Sequence, residues 1–293
     1  MVQQPPTAAP RNSVALVGLG AVGILFAAPL AARLPGALRV VADAARIRTI
    51  TIDRPEAKGA MRGDMWSALG DALADAEDNT GVAVVVLTGT GDAFCAGVDL
   101  AEMAEIAMGT GVADAHAFPK LADTMSTFAK PLLVAVNGIG VGFGATVLGF
   151  ADLAFMASTA KVKCPFTRLG VAPELASSYT FPALIGRQNA SWALLSSEWL
   201  SAEECEAMGL VFRVCEPDDL IAVTLEHARV LAAKPISSLV ESKRAILAGM
   251  APQIAAARQR EDEAFQRLLG TPENLEAMTA FAEKREPDFT GLG

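Results

Sequence analysis

The sequence predicts an α/β protein whose last third is helical, and three observations carry that reading. Two apolar runs rich in valine, VAVVVLTGTG (Val82–Gly91) and LLVAV (Leu132–Val136), have the composition of strands buried on both faces of a sheet. The second leads into a glycine-rich turn and an apolar segment up to Phe150. From about Ser201 onward the pattern becomes one helical segment after another.

The elements follow in order. Residues 1–12 are proline-rich and expected to lack order. Residues 13–36 read as a short strand, a glycine turn and an Ala-rich helix ending near Pro35 and Gly36. Two β runs, Leu38–Ala42 and Arg46–Ile52, flank a short turn. A helix is expected over Met65–Ala76, because Trp66, Leu69, Leu73 and Ala76 recur at spacings of 3, 4 and 3. After the two buried strands, ADLAFMAS and AKVKCPF supply shorter ones. Ser201 and Glu204 form a capping box that opens the helical region. The organisation is therefore an appended segment (1–36), an α/β core (37–200) and a helical region (201–293), with no internal sequence repeat.

Composition excludes several classes. The 293 residues are 52% hydrophobic and 19% charged, with a net charge of −9. That balance suits a globular protein and opposes nucleic-acid binding, which needs a basic surface. The four cysteines are far apart and read as reduced, buried small hydrophobes of a cytoplasmic protein. His116 and His227 have no metal-ligand spacing, so a metal site or histidine triad is unsupported and both are assigned to structure or surface. The uncharged stretch Ser13–Ala32 is interrupted by three glycines and Pro29, and no membrane association is expected.

Gly18, Gly20 and Gly23 have the G-x-G-x-x-G spacing of a dinucleotide-binding turn, and Asp43 follows Gly23 by 20 residues. A dinucleotide fold needs further β-α units after that acid. Here the next strand already opens a different pattern, so the fingerprint is set aside and residues 1–36 are read as non-functional.

That pattern lies in RTITIDRPEAKGAM, VVVLTGTGDAFCAGVDLAEM, KPLLVAVNGIGVGFGATVLGFADLAF and TPENLEAMTAFAEKREPDF. In this order, from about Leu38 to Phe289, these stretches resemble the enoyl-CoA hydratase/isomerase (crotonase) family. The resemblance implies a repeated ββα spiral core and a C-terminal helical trimerisation region, hence a homotrimer or a dimer of trimers. It also implies an acyl-CoA thioester substrate, with no cofactor beyond the coenzyme A that the substrate carries.

The chemistry of a thioester explains the glycine turns. Removing an α-proton leaves an enolate, which two convergent backbone N–H donors can hold. Matched to the family, those donors are Val98, just after Gly97, and Phe143, between Gly142 and Gly144. Ala96, Gly97, Asp99 and Gly142 would lie against the substrate, and the helix after Gly142 would favour negative charge. Asp99 reads as a helix cap beside it. The family's hydratases use two glutamates, whose positions here hold Thr146 and Phe166, and neither can act as a carboxylate. The stretch CPFTRLGVAPELASSYTFPALIG instead resembles the peroxisomal-type Δ3,Δ2-enoyl-CoA isomerases, which carry a single catalytic glutamate where Glu174 stands. An apolar setting of Phe166, Val171, Ala172 and Leu175 is expected to raise its pKa. Hydration with another base, and a non-catalytic CoA-binding subunit, remain the alternatives.

The RPEAKGAM loop resembles the family loop along CoA, which assigns Ala57, Lys58 and Ala60 to binding. Lys58-Gly59-Ala60-Met61 departs from the family's usual Asn-Ala-Leu. Phe281 and Lys284 match residues that reach CoA, often from a neighbouring subunit. Met65, Trp66, Met103, Ile106 and Met108 are candidates for the acyl pocket.

Overall fold

The computed structural model describes residues 37–102, 114 and 116–292. The expectations for residues 1–36, and Met103, Ile106 and Met108, lie outside them.

Strands β1 (Leu38–Ala42) and β2 (Ile47–Ile52) form an antiparallel hairpin with Leu38 opposite Ile52. Asp43 makes the turn: its Oδ1 accepts the N–H groups of Ala45 at 2.9 Å and Ile47 at 3.0 Å. Arg46 is left-handed at φ 64° and therefore stands in the turn, not in β2 as its sequence suggested. The acid that the glycine fingerprint required is thus a turn residue.

The two valine-rich runs became β3 (Val84–Gly89) and β5 (Leu132–Val136), adjacent and parallel at the centre of the main sheet. With β7 (Leu153–Ala157) and β10 (Arg213–Cys215), that sheet has the order β1-β2-β3-β5-β7-β10. A second sheet of three-residue strands, β4 (Ala93–Cys95), β6 (Ile139–Val141), β8 (Lys161–Lys163) and β9 (Trp199–Ser201), runs beside it. The chain steps from the first sheet to the second at β3–β4, β5–β6 and β7–β8, then returns. This is the ββα spiral that the resemblance implied, repeated in structure without any repeat in sequence.

Asn137 locks one step. It accepts the Gly89 N–H at 3.0 Å and donates to the carbonyls of Gly91 and Ala93. Helices α1 (Gly63–Asp78) and α2 (Ala117–Thr127) pack on one another outside the sheets. The C-terminus of α1 is capped by buried Lys130, whose Nζ donates to the carbonyls of Ala76 and Asn79 at 2.6 and 2.8 Å. After the Gly142 turn, the expected helix to Phe150 is one α-turn, α3 (Phe143–Thr146), followed by a 3-10 turn.

The longest departure from the sequence reading is α4 (Ser177–Leu195), which contains Pro182 and kinks at Gly186 (φ 75°, ψ 158°). Those two residues hide it from periodicity. Thereafter α5 (Ala202–Met208) opens on the expected capping box, with both reciprocal hydrogen bonds formed. Helices α6 (Leu220–Ala232), α7 (Ile236–Ala248), α8 (Ala251–Leu268) and α9 (Pro272–Ala282) complete the helical region. That region is not wholly helical, because β10 interrupts it and adds the edge of the main sheet. No helix among the described residues is long and apolar enough to cross a membrane.

Candidate active site

The site is assembled where the two sheets' connecting turns meet. The first turn, 96–99, is tied to the loop before α1. Ala96 donates to the Lys58 carbonyl, Met61 to the Gly97 carbonyl and Asp99 to the Met61 carbonyl, at 3.0, 2.7 and 2.9 Å. The second turn centres on Gly142 (φ 56°, ψ −115°), whose carbonyl accepts Ala145 and Thr146 and so starts α3.

Glycine is required at two positions. Gly97 has φ 83°, and a Cβ built on it would lie 2.9 Å from the Val141 carbonyl oxygen and 3.9 Å from Gly142 Cα. A Cβ on Gly142 would lie 3.6 Å from Glu174 Oε1. These contacts place both turns and the Glu174 carboxyl side by side.

Among the described residues, the N–H groups of Val98 and Phe143 donate to no protein acceptor. They are the amides the sequence singled out as a pair of oxyanion donors, and both remain available for one. Phe143 is the first residue of a single turn, so its own orphan N–H carries the effect rather than a helix dipole. Its ring packs edge-on against Trp66, with centroids 4.9 Å apart, and Phe118 completes the aromatic cluster. Met65 and Trp66 are buried here.

Glu174 is partly buried, and among the described residues its carboxylate makes no hydrogen bond. Burial pushes its carboxyl up to about 7, and the carboxylate of Glu261 adds to the rise. The expected apolar setting is present: Phe166, Ala172 and Leu175 are buried. Glu261, which the sequence reading did not single out, is 4% exposed on α8. Its Oε2 accepts the Ala176 N–H at 2.7 Å and its Oε1 the Ser178 N–H at 2.8 Å. A signal existed, since Glu261 continues the buried stripe of Ile254 and Ala257 at spacings of 3 and 4.

Thr146 and Phe166, at the positions of the hydratase glutamates, are both buried, and among the described residues the Thr146 hydroxyl has no partner. Cys95 and Cys164 face Glu174; burial pushes the Cys95 thiol up to about 12 and Cys164 also upward, so both are neutral. All four cysteines are free and buried.

Asp99 is the cap the sequence suggested, its Oδ1 accepting the N–H groups of Ala101 and Glu102. Burial pushes its carboxyl up, but the Arg54 guanidinium and those N–H groups outweigh it and hold Asp99 below the usual range. Arg54 is consequently internal: it donates to Asp99 Oδ2 at 2.5 Å and to the Ala60 carbonyl at 2.9 Å. Lys58 is exposed and left-handed at φ 51°, while the Ala57 carbonyl accepts the Ala60 N–H. Phe281 is exposed in the last turn of α9 and Lys284 is exposed just beyond it. His116 is exposed, and His227 packs against Phe155 at 4.9 Å and Phe212 at 5.7 Å, as structural residues do. Among the described residues no cluster of histidine, cysteine and acidic side chains could hold a metal.

A family model described as enoyl-CoA hydratase/isomerase matches residues 43–292. Two curated relatives from Escherichia coli are similar over nearly their whole lengths. One, a 1,2-epoxyphenylacetyl-CoA isomerase, is 30% identical over 84% of this chain and 95% of its own. The other, a 2,3-dehydroadipyl-CoA hydratase, is 32% identical over 86% of this chain and 98% of its own. Among solved structures, an enoyl-CoA hydratase/isomerase from Pseudoalteromonas atlantica superposes with a TM-score of 0.81 at 33% identity, covering 86% of this chain and 99% of that one. An enoyl-CoA hydratase from Mycobacterium marinum superposes at 0.69 with 52% identity over 72% of this chain and 99% of that one.

Proposed function

The chain belongs to the enoyl-CoA hydratase/isomerase family, and from that premise we propose that it shifts the double bond of a 3-enoyl-CoA to give the conjugated trans-2-enoyl-CoA. Glu174 as carboxylate takes a proton from C2. The electron pair moves onto the thioester oxygen, where the N–H groups of Val98 and Phe143 hold the dienolate, and Glu174 returns the proton to C4. A pKa near neutrality suits a group that must be both base and acid in one turnover.

One observation supports this reading: among the described residues, the site offers a single uncommitted carboxylate. Hydration requires a water to be positioned as well as a proton delivered. Thr146 and Phe166 provide no second carboxylate, and both oxygens of Glu261 are engaged by backbone N–H groups. The similarity to relatives named as hydratases favours the second reading, hydration by Glu174 with another group orienting water.

Coenzyme A arrives with the substrate and no other cofactor takes part. The backbone of Ala57, Ala60, Ala96, Gly97 and Gly142 and the side chain of Lys58 lie along it. Phe281 and Lys284 reach it across a boundary in a homotrimer or dimer of trimers. The exposed Ile246, Leu275 and Phe281 on the C-terminal helices support such an assembly. We read the enzyme as cytoplasmic, with residues 1–36 an appended segment that takes no part in catalysis. The test is to follow a 3-enoyl-CoA spectroscopically with wild type and Glu174→Gln. Conjugated product from the wild type alone is expected; equal rates for the two overturn the assignment.

A further inference from the structure

We propose that Glu261 is a positioning residue for Glu174: from α8, its carboxylate holds the backbone immediately after Glu174 and keeps the catalytic carboxyl aimed at the Gly142 turn. The inference rests on Glu174 being the base.

The geometry begins with strain. Leu175 and Ala176 are consecutive non-glycine residues in the left-handed region, at φ 55° and 53°. Such a pair persists only where its surroundings over-determine it. Glu261 supplies that determination by accepting the N–H groups of Ala176 and Ser178, one on each carboxylate oxygen. These are orphan donors at the start of α4, so one side chain satisfies the helix terminus and fixes the entry angle of the chain. The other end of the loop is held in parallel. Asn274 on α9 donates its Nδ2 to the Leu169 carbonyl at 2.9 Å. Between these anchors the Glu174 carbonyl accepts both the N–H and the hydroxyl of Ser177, leaving its carboxylate as the group with no partner among the described residues.

Charge gives Glu261 a second effect. Among the described residues, the titratable groups facing Glu174 are the Cys95 thiol on β4, the Cys164 thiol after β8 and the Glu261 carboxylate on α8. Both thiols are neutral, so Glu261 is the charged neighbour that opposes ionisation of the base. Glu261 itself faces Ser178 and Asp262. Burial raises its carboxyl above the usual range, and the hydrogen bonds from Ser178 and Ala176 offset only part of that rise.

The test is the pH dependence of kcat on a 3-enoyl-CoA for wild type, Glu261→Gln and Asn274→Ala, with Glu174→Gln as reference. Glu261→Gln keeps the shape but removes the charge and one of two acceptors. It is expected to lower plateau kcat about tenfold or more with KM within about threefold, and to move the acid limb down by about half a unit or more. Asn274→Ala loosens the same loop without removing charge, so its limb stays in place. A wild-type limb or plateau in Glu261→Gln overturns the proposal, as do equal limb shifts in the two variants. Should Glu261→Gln not fold, Glu261→Asp keeps the charge and withdraws the acceptors: a tenfold lower kcat with an unmoved limb supports the role, and wild-type kcat overturns it. If Glu174→Gln is as active as wild type, it is the proposed function that fails; if it is inactive while Glu261→Gln behaves as wild type, only this inference fails.

Discussion

Two loops of the site achieve unusual backbone in opposite ways. The Gly142 turn reaches φ 56° with a residue that has no Cβ, and its hydrogen bonds are all to near neighbours or the adjacent strand. The Glu174 loop reaches φ 55° and 53° with leucine and alanine and is held from helices 85 to 105 residues away in sequence. The first turn is pre-organised by composition, the second by tertiary clamps. A donor that needs only a free N–H can be made locally. A carboxylate that must stay partly buried, unpaired and aimed needs help from outside its own segment.

This contrast can be broken at several points. The largest effect is expected from Glu174→Gln, which removes the one carboxylate at the site without a partner among the described residues and should lower kcat by roughly 10³–10⁴ in a steady-state isomerisation assay. Next comes the glycine side. Gly142→Ala puts an L side chain at φ 56°, a strained conformation whose relief should shift the turn and displace the Phe143 donor, so kcat should fall by about 10²–10³. The same assay on Gly97→Ala should give a comparable loss, because its Cβ would meet the Val141 carbonyl oxygen at 2.9 Å.

Stability gives smaller but sharper readouts. Glu174 is raised from 4.5 to about 7 in the folded state, so folding disfavours its ionised form. Relative to an unperturbed carboxyl, the folded protein therefore loses stability as pH rises from about 4.5 through 7 and recovers none above. Glu174→Gln should accordingly stabilise the fold by about 3 kcal/mol at pH 8 and by nothing below pH ~4.5, measured by denaturant unfolding. The smallest effect is expected from Ala176→Gly. Relief of the left-handed conformation offsets the extra freedom glycine has when unfolded, so stability should stay within about 1 kcal/mol of wild type.

Much of the fold and half of the site are legible in the amino-acid sequence. Leu132–Val136 is a strand with the same bounds in sequence and structure, because uninterrupted burial leaves a continuous apolar run. Ser201 and Asp99 cap where they were expected to, since capping is settled within three residues. The glycine turns around Val98 and Phe143 are visible because close backbone approach leaves glycines behind, but naming those two N–H groups took the resemblance to the family, since a backbone donor has no side-chain signature. The three-residue strands β4, β6 and β9 were not legible, being too short to show a period. Helix α4 was hidden by Pro182 and Gly186. Glu261 was missed because it sits in the charged run ARQREDEAF, which looks like a solvated face. Its hydrogen-bond partners, Ala176 and Ser178, lie far away in sequence.

The central claim, one carboxylate working between two backbone donors, is tested most directly by product partition. The wild-type enzyme is given a 3-enoyl-CoA and, separately, the matching trans-2-enoyl-CoA, and the rates of double-bond migration and of water addition are compared. A single-carboxylate isomerase converts the first substrate at least about a hundredfold faster than it hydrates the second. Hydration as fast as migration, or faster, would contradict the account and point to a second proton-handling group that positions water.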